Sequence, residues 1–267
     1  MQNRITRTGA TTFVSNANDS FVGKSVEIYG EWSHGEVEAL AVLLRPDQNV
    51  VEVGANIGAH TVFLARDVCP AGTVYAFEPR RLVFQMLCAN LAVNSLANVH
   101  AFQMALGRER QVLREGALPL EGNGATNLGG HALGSLPGEA ETIEVRPLDE
   151  MLASLPRIAL LKADVEGHEQ AVLEGARQLI ARDRPILYLE NDRPAESPAL
   201  IRAVMELDYL MWWHTVPLFR PQNLARTQAN IFGNVHSFNM LCLPRENGPR
   251  VNGLQPVTGP DQHPLKR

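Results

Sequence analysis

Two short stretches of this chain hold residues suited to chemistry. The first is Asp164-Val165-Glu166-Gly167-His168-Glu169, with three acids and a histidine. Carboxylates and an imidazole can take up a proton near neutral pH, so general-base work is the natural chemistry of such a cluster. Acids also favour the first turn of a helix, near the positive end of its dipole. That explanation suits Glu169, which opens a helical pattern. It suits Asp164 poorly, because Asp164 stands where a strand should leave its sheet. The second stretch is Val50-Val51-Glu52-Val53-Gly54-Ala55-Asn56-Ile57-Gly58. Its β-branched run suits a buried strand. Gly54 and Gly58 permit backbone shapes that a Cβ would block.

A strand, a glycine turn and a helix make the nucleotide-cradling corner of a doubly wound sheet. A pyrophosphate needs a glycine at the middle of that turn, and Asn56 occupies the place. No Gly-Lys-Ser/Thr follows to make a P-loop. The turn therefore fits a cofactor without phosphates, such as S-adenosylmethionine. Glu52, just before the turn, is placed to face a cationic ligand. Glu78, in Ala76-Phe77-Glu78-Pro79, lies twenty residues beyond Gly58. A ribose-binding acid belongs at that second strand end. A plain packing corner, with Glu52 satisfied by backbone amides, is the alternative.

The elements that must position these groups alternate along the chain. Thr61, Leu64, Ala65 and Val68 share one helical face after Gly58. Before the turn, Val37, Leu40, Ala41 and Leu44 mark an amphipathic helix that ends ahead of Pro46. Strands are expected at 73–78, 98–104, 158–163, 185–190, 208–213 and 235–243, with a short edge strand at 142–146. Helices are expected at 81–94, after Glu169, and at 197–206. Such alternation predicts an α/β fold, a doubly wound Rossmann-like sheet of seven strands, the last antiparallel, with helices on both faces. Residues 116–140 are Gly-rich and aperiodic, a long loop of the kind that carries function or moves.

The expected organisation is an N-terminal arm (1–33), a main domain (34–244) and a mobile Pro/Gly-rich tail (245–267). The aromatic segment Tyr29 to Trp32 either closes over the cofactor pocket or anchors the arm. Ligands of open α/β sheets bind at the carboxyl ends of the strands. There stand Glu52, Gly54, Asn56, His60 and Thr61, then Glu78, then Met104 and Ala105, whose backbone can flank an adenine. The cluster from Asp164 follows, and then Glu190, Asn191 and Asp192.

The chain has 267 residues, with 24 basic and 29 acidic side chains and a net charge of −5. This balance offers no general attraction for nucleic acid or an anionic membrane. The three cysteines, Cys69, Cys88 and Cys242, lack metal-type spacing and read as reduced cytosolic thiols. No signal peptide or membrane-spanning run is read, so a cytoplasmic location is expected.

The motifs Val51 to Gly58, Ala76-Phe77-Glu78-Pro79, Leu161 to Glu169 and Leu173-Glu174-Gly175-Ala176 together resemble the FkbM-type methyltransferases. The resemblance runs in order from about Gly35 to Glu190. It implies S-adenosyl-L-methionine as cofactor and O-methylation of a hydroxyl on a small natural product or saccharide. It also implies that Gly54, Asn56 and Gly58 line the cofactor and that Glu78 holds the ribose hydroxyls. Two positions depart from the family pattern. Ala163 replaces the usual isoleucine, and His60 replaces an aromatic.

Methylating an alcohol requires a base within hydrogen-bond reach. His168 or Asp164 is expected to serve, with Glu166 as a further candidate. Asp164, Glu190 and Asn191 also resemble the oxygen-ligand set of Mg-dependent catechol-type O-methyltransferases. An NAD-dependent oxidoreductase and a non-catalytic Rossmann-fold binding protein are the other classes carried forward. The expected partner is a small-molecule acceptor, and a homodimer is left open.

Overall fold

The computed structural model describes residues 3–118 and 126–265. Residues 119–125 of the expected long loop, and the first and last two residues of arm and tail, lie outside the described residues.

In chain order the elements begin with β1 (Asn3–Thr8), β2 (Thr11–Asn16), α1 (Val22–Tyr29), α2 (His34–Leu43) and β3 (Asn49–Val53). Next come α3 (Thr61–Phe63), continued by a π turn over Leu64–Val68, then β4 (Val74–Phe77), α4 (Arg81–Val93) and β5 (Val99–Phe102). The middle of the chain forms β6 (Ala105–Leu106), β7 (Gln111–Glu115), β8 (Glu141–Arg146), β9 (Ile158–Ala163), α5 (Glu169–Glu174) and α6 (Arg177–Asp183). The last elements are β10 (Ile186–Glu190), α7 (Ser197–Glu206), β11 (Tyr209–Pro217), β12 (His236–Pro244) and β13 (Gln255–Pro256).

The main sheet has the order β13-β11-β12-β10-β9-β3-β4-β5. Strands β5, β4, β3, β9 and β10 run parallel, and β12 inserts antiparallel between β10 and β11. The seven expected strands, the last antiparallel, are therefore present, and the two-residue β13 adds an eighth on the edge.

Alternation along the strands explains the two layers. Val51, Val53, Leu161, Ala163 and Leu187 point into one apolar cluster with α5, α6 and α7. Val50, Leu160, Tyr188 and Leu241 point into the other, with α2, α3 and the N-terminal arm. Thr61, Leu64, Ala65 and Val68 are all buried, as their spacing requires. Val37, Leu40 and Leu44 are buried too, whereas Ala41 is exposed.

Three features differ from expectation. The strand near 142–146 does not edge the main sheet. It pairs with β6 and β7 in a separate three-stranded sheet. The arm carries an antiparallel hairpin, β1 with β2, followed by α1. Finally, contrary to a mobile tail, Gln255–Pro256 pairs with β11, Val257 is buried, and His263 Nε2 lies 2.9 Å from the Asn191 carbonyl oxygen. Val257 and His263 find apolar and polar partners that a Pro/Gly-rich composition does not reveal.

Candidate active site

The ends of β3, β4, β5, β9 and β10 open into one cavity. Gly54 shows how its walls are joined. Its φ is +81°, and a Cβ there would lie 1.8 Å from the Asp164 carbonyl oxygen. The Asp164 amide in turn donates to the Val53 carbonyl at 3.0 Å. The turn after β3 and the acid cluster after β9 are thus in backbone contact, which only glycine permits.

Asn56 takes a left-handed conformation with φ +52°, which asparagine tolerates better than most residues. Its side chain accepts from the Ile57 amide at 2.7 Å. The loop at Gly129 lies directly over it, since a Cβ there would meet Asn56 Nδ2 at 2.4 Å. Glu78 is buried at the cavity wall. Its carboxylate accepts from the amides of Asn56 at 3.1 Å and Arg80 at 2.9 Å. Burial pushes the Glu78 carboxyl up to about 7, against the two amides and the Arg80 charge.

Glu52, Gly54, Asn56, Glu78, Ala105, Asp164, Glu166 and His168 all line this cavity. Gly58 and Thr61 are not among its lining residues. Gly58, with φ +84°, packs against Leu87 of α4. Thr61 donates to Glu52 Oε2 at 2.6 Å. Both support the turn from behind, because the face of α3 that carries Thr61 is the one packed into the core.

Glu52 faces a cation of the protein itself. Lys162 Nζ lies 3.9 Å from Glu52 Oε1 and 3.4 Å from Asp164 Oδ2. Burial raises the Glu52 carboxyl to about 7, opposed by Lys162 and by the Thr61 hydroxyl. Burial works to lower the Lys162 pKa, but Asp164, Glu52, Glu36 and Glu190 outweigh it and the pKa is raised. Lys162 therefore stays an ammonium ion in the interior.

The loop from Asp164 to His168 is shaped by two successive left-handed residues, Glu166 at φ +56° and Gly167 at φ +97°. Glu169 is buried beneath it and accepts from the amides of Val165 at 2.9 Å and Gly167 at 3.3 Å. Glu169 is thus a structural helix-start acid. Glu166 is ion-paired with Arg193. Burial, then Asp164 and Asp192, push its carboxyl to about 7 against Arg193. His168 stands in the helix-capping position of α5 and lines the cavity. His60 is buried with Nε2 2.9 Å from the Trp32 carbonyl oxygen. Burial, helped by Lys162, holds its pKa down at about 3. It is a neutral hydrogen-bonding group and a poor base.

Asn191 turns its amide to Met240 Sδ, 3.3 Å away in the core. Among the described residues no group of three or more His, Cys, Asp or Glu is arranged to hold a metal ion.

Several wall residues come from elements that motif reading did not reach. They include Glu36 on α2 and Ser237 and Asn239 on β12, while Trp32 of the aromatic segment and His131 of the long loop, both in stretches singled out in the sequence, also line the wall. Phe21 and Val22 of the arm also reach the cavity. Asn90 of α4 fastens the arm there, donating to the carbonyls of both Val14 and Ile57. Among the described residues no helix is long and apolar enough to cross a membrane.

The family model of the methyltransferase FkbM domain matches residues 52–211, more than half of the chain. The chain is 33% identical over 146 residues to methyltransferase 1 of Beauveria bassiana, covering 48% of this chain and 58% of that relative. It is 33% identical over 162 residues to 31-O-demethyl-FK506 methyltransferase FkbM of Streptomyces tacrolimicus, covering 50% and 61%. These matches span about three-fifths of the relatives' own lengths. The crystal structure of a methyltransferase FkbM from Methylobacillus flagellatus KT superposes with a TM-score of 0.51 at 18% identity, covering 74% of this chain and 44% of that one. That likeness concerns the fold. With the motif turn, Glu78 and the acid cluster all inside the matched region, this chain belongs to the FkbM methyltransferase family.

Proposed function

We propose that the chain is an S-adenosylmethionine-dependent O-methyltransferase acting on a hydroxyl of a small natural product or saccharide. The observation that carries this is the contact between Gly54 and Asp164. It supports this reading by joining the glycine turn and the acid cluster at the wall of one cavity.

The cavity fits the cofactor. Glu78 has both oxygens aimed by backbone amides and keeps lone pairs free for two ribose hydroxyls. Val83, Met104, Leu106 and Leu133, apolar residues of the lining, offer contact surface for a base. His131, another lining residue, has its Nε2 buried without a hydrogen-bond partner among the described residues, which leaves it open to a ligand. The Asn56 side chain, under the Gly129 loop, fills the space that a pyrophosphate would need. When bound, S-adenosylmethionine supplies a methyl carbon made electrophilic by its sulfonium.

The chain's own work is to position the acceptor oxygen and remove its proton. Asp164 is anchored beside the turn by its amide and by Lys162. Glu166 is occupied by Arg193. His168 lines the cavity with no side-chain hydrogen bond among the described residues, so its imidazole is free to take the hydroxyl proton. Asp164 is the second candidate.

Incubation with methyl-labelled S-adenosylmethionine and a panel of alcohols, sugars and peptides tests this. Label should appear as a methyl ether. Tight cofactor binding without transfer to any acceptor would favour a binding protein, and tight NADH binding would favour an oxidoreductase.

A further inference from the structure

Beyond the cofactor turn the cavity reaches the ends of β10 and β12, and its wall there is acidic. Glu36, Asp164, Glu166, Glu190 and Asp192 all line it. Two of these acids are incompletely satisfied. Glu36 Oε2 and Glu190 Oε2 are buried without a hydrogen-bond partner among the described residues.

Glu36 is the more informative. Its residue is 2% exposed. Its other oxygen is fixed by the hydroxyls of Ser33 at 2.7 Å and Ser237 at 2.8 Å. The carboxylate is therefore held in one orientation, which leaves Oε2 a bare acceptor on a residue that lines the cavity. Buried acceptors are normally paired, so a bare one on a cavity wall points to a donor that arrives with a ligand.

The cations nearby already face carboxylates, although Arg193 Nε has no hydrogen-bond partner among the described residues. Lys162 lies between Asp164 and Glu52, and Arg193 is bound to Glu166. With Glu52, six acids of this cavity thus share two cations, so carboxyl groups outnumber the cations beside them. Such a wall repels phosphate, sulfate and carboxylate groups and favours a positive one. Trp32, whose carbonyl holds His60, adds an aromatic surface, which also suits a cation.

We propose that this wall is the acceptor subsite and that it selects acceptors carrying a protonated amine near the hydroxyl, as in hydroxyamines and amino sugars. Glu36 and Glu190 receive the ammonium group. This rests on the methyltransferase function above and narrows its substrate class.

The test is calorimetric titration of the protein saturated with S-adenosylhomocysteine. The probes are glucosamine, a larger aminoglycoside, their N-acetylated forms and the matching neutral sugars. At least one amine should bind at least ten-fold tighter than its N-acetylated partner. Glu36→Gln and Glu190→Gln should each abolish that preference while S-adenosylmethionine affinity stays within about two-fold. Neutral sugars binding as well as the amines, or no amine binding, would overturn the proposal. So would a ten-fold loss of S-adenosylmethionine affinity in both variants, which would assign the acids to the cofactor's own ammonium. A protein that binds neither S-adenosylmethionine nor its product fails the methyltransferase function instead. The amine series, run on the unliganded protein, then still decides the charge preference of the wall.

Discussion

Lys162 lies 3.4 Å from Asp164, buried at the point where the cofactor turn and the acid cluster meet. It is the buried counter-cation for Asp164 and Glu52 and also feels Glu36 and Glu190. Removing one side of a buried pair leaves charge uncompensated, at a cost of about 3–5 kcal/mol. Lys162→Met should therefore lower the unfolding free energy by that order, read as a lower denaturant midpoint with the m-value unchanged. Unfolding curves that superimpose on the wild type would show that the carboxylates neutralise themselves by protonation instead.

Glu78 gives a prediction for the cofactor. Glu78→Ala should weaken S-adenosylmethionine binding by about 1.5–3 kcal/mol, the scale of losing hydrogen bonds to a charged group. Glu78→Gln keeps an acceptor oxygen and should lose less. Calorimetry giving the alanine variant wild-type affinity would remove Glu78 from the ribose.

Glu52 makes stability depend on pH in a definite direction. Its carboxyl is raised from 4.5 to about 7 in the folded chain. Between those values the native state keeps a proton that the unfolded chain has released. Stability from this group is therefore lost as pH rises through that window. Glu52→Gln carries no such proton, so its melting temperature should fall less than that of the wild type from pH 4.5 to pH 7. Parallel pH profiles for the two proteins would contradict this.

How much of this was legible without coordinates depends on where each residue sits. Gly54, Glu78 and Asp164 stand at strand ends, and the β-branched runs before them locate those ends. Gly58 is read onto the cofactor from the glycine turn and the family resemblance, and Thr61 from its place on the helix at that strand end, and neither signal shows whether a side chain meets the cavity. In the structure they brace the turn through Leu87 and Glu52. Glu36, Ser237 and Asn239 carried no local signal. They reach the wall only because β12 inserts between β10 and β11 and α2 packs above it. The arm hairpin was hidden for a different reason. β1 is mostly exposed, and only β2 shows a buried alternation.

The last prediction concerns the base. His168 and Asp164 line the same cavity, but their surroundings differ. Asp164 is tied to the Val53 carbonyl through its amide and to Lys162 through its side chain. Replacing it should disturb both the loop and the charge balance. His168 has a freer ring at the start of α5. A positioned general base contributes about a hundred- to ten-thousand-fold in rate. His168→Ala should therefore lower turnover by that order with cofactor affinity nearly unchanged. Asp164→Asn should lower turnover and also shift the unfolding midpoint. Glu166→Gln should have the smallest effect on the chemical step, because Arg193 already occupies that carboxylate. A metal-assisted route would behave differently. Chelator would then abolish turnover, and Glu190→Ala would be as damaging as Asp164→Ala. With His168 as base, chelator leaves turnover unchanged. Full activity in the His168 and Asp164 variants together would make the cluster structural and move the base to His34 or the loop around His131.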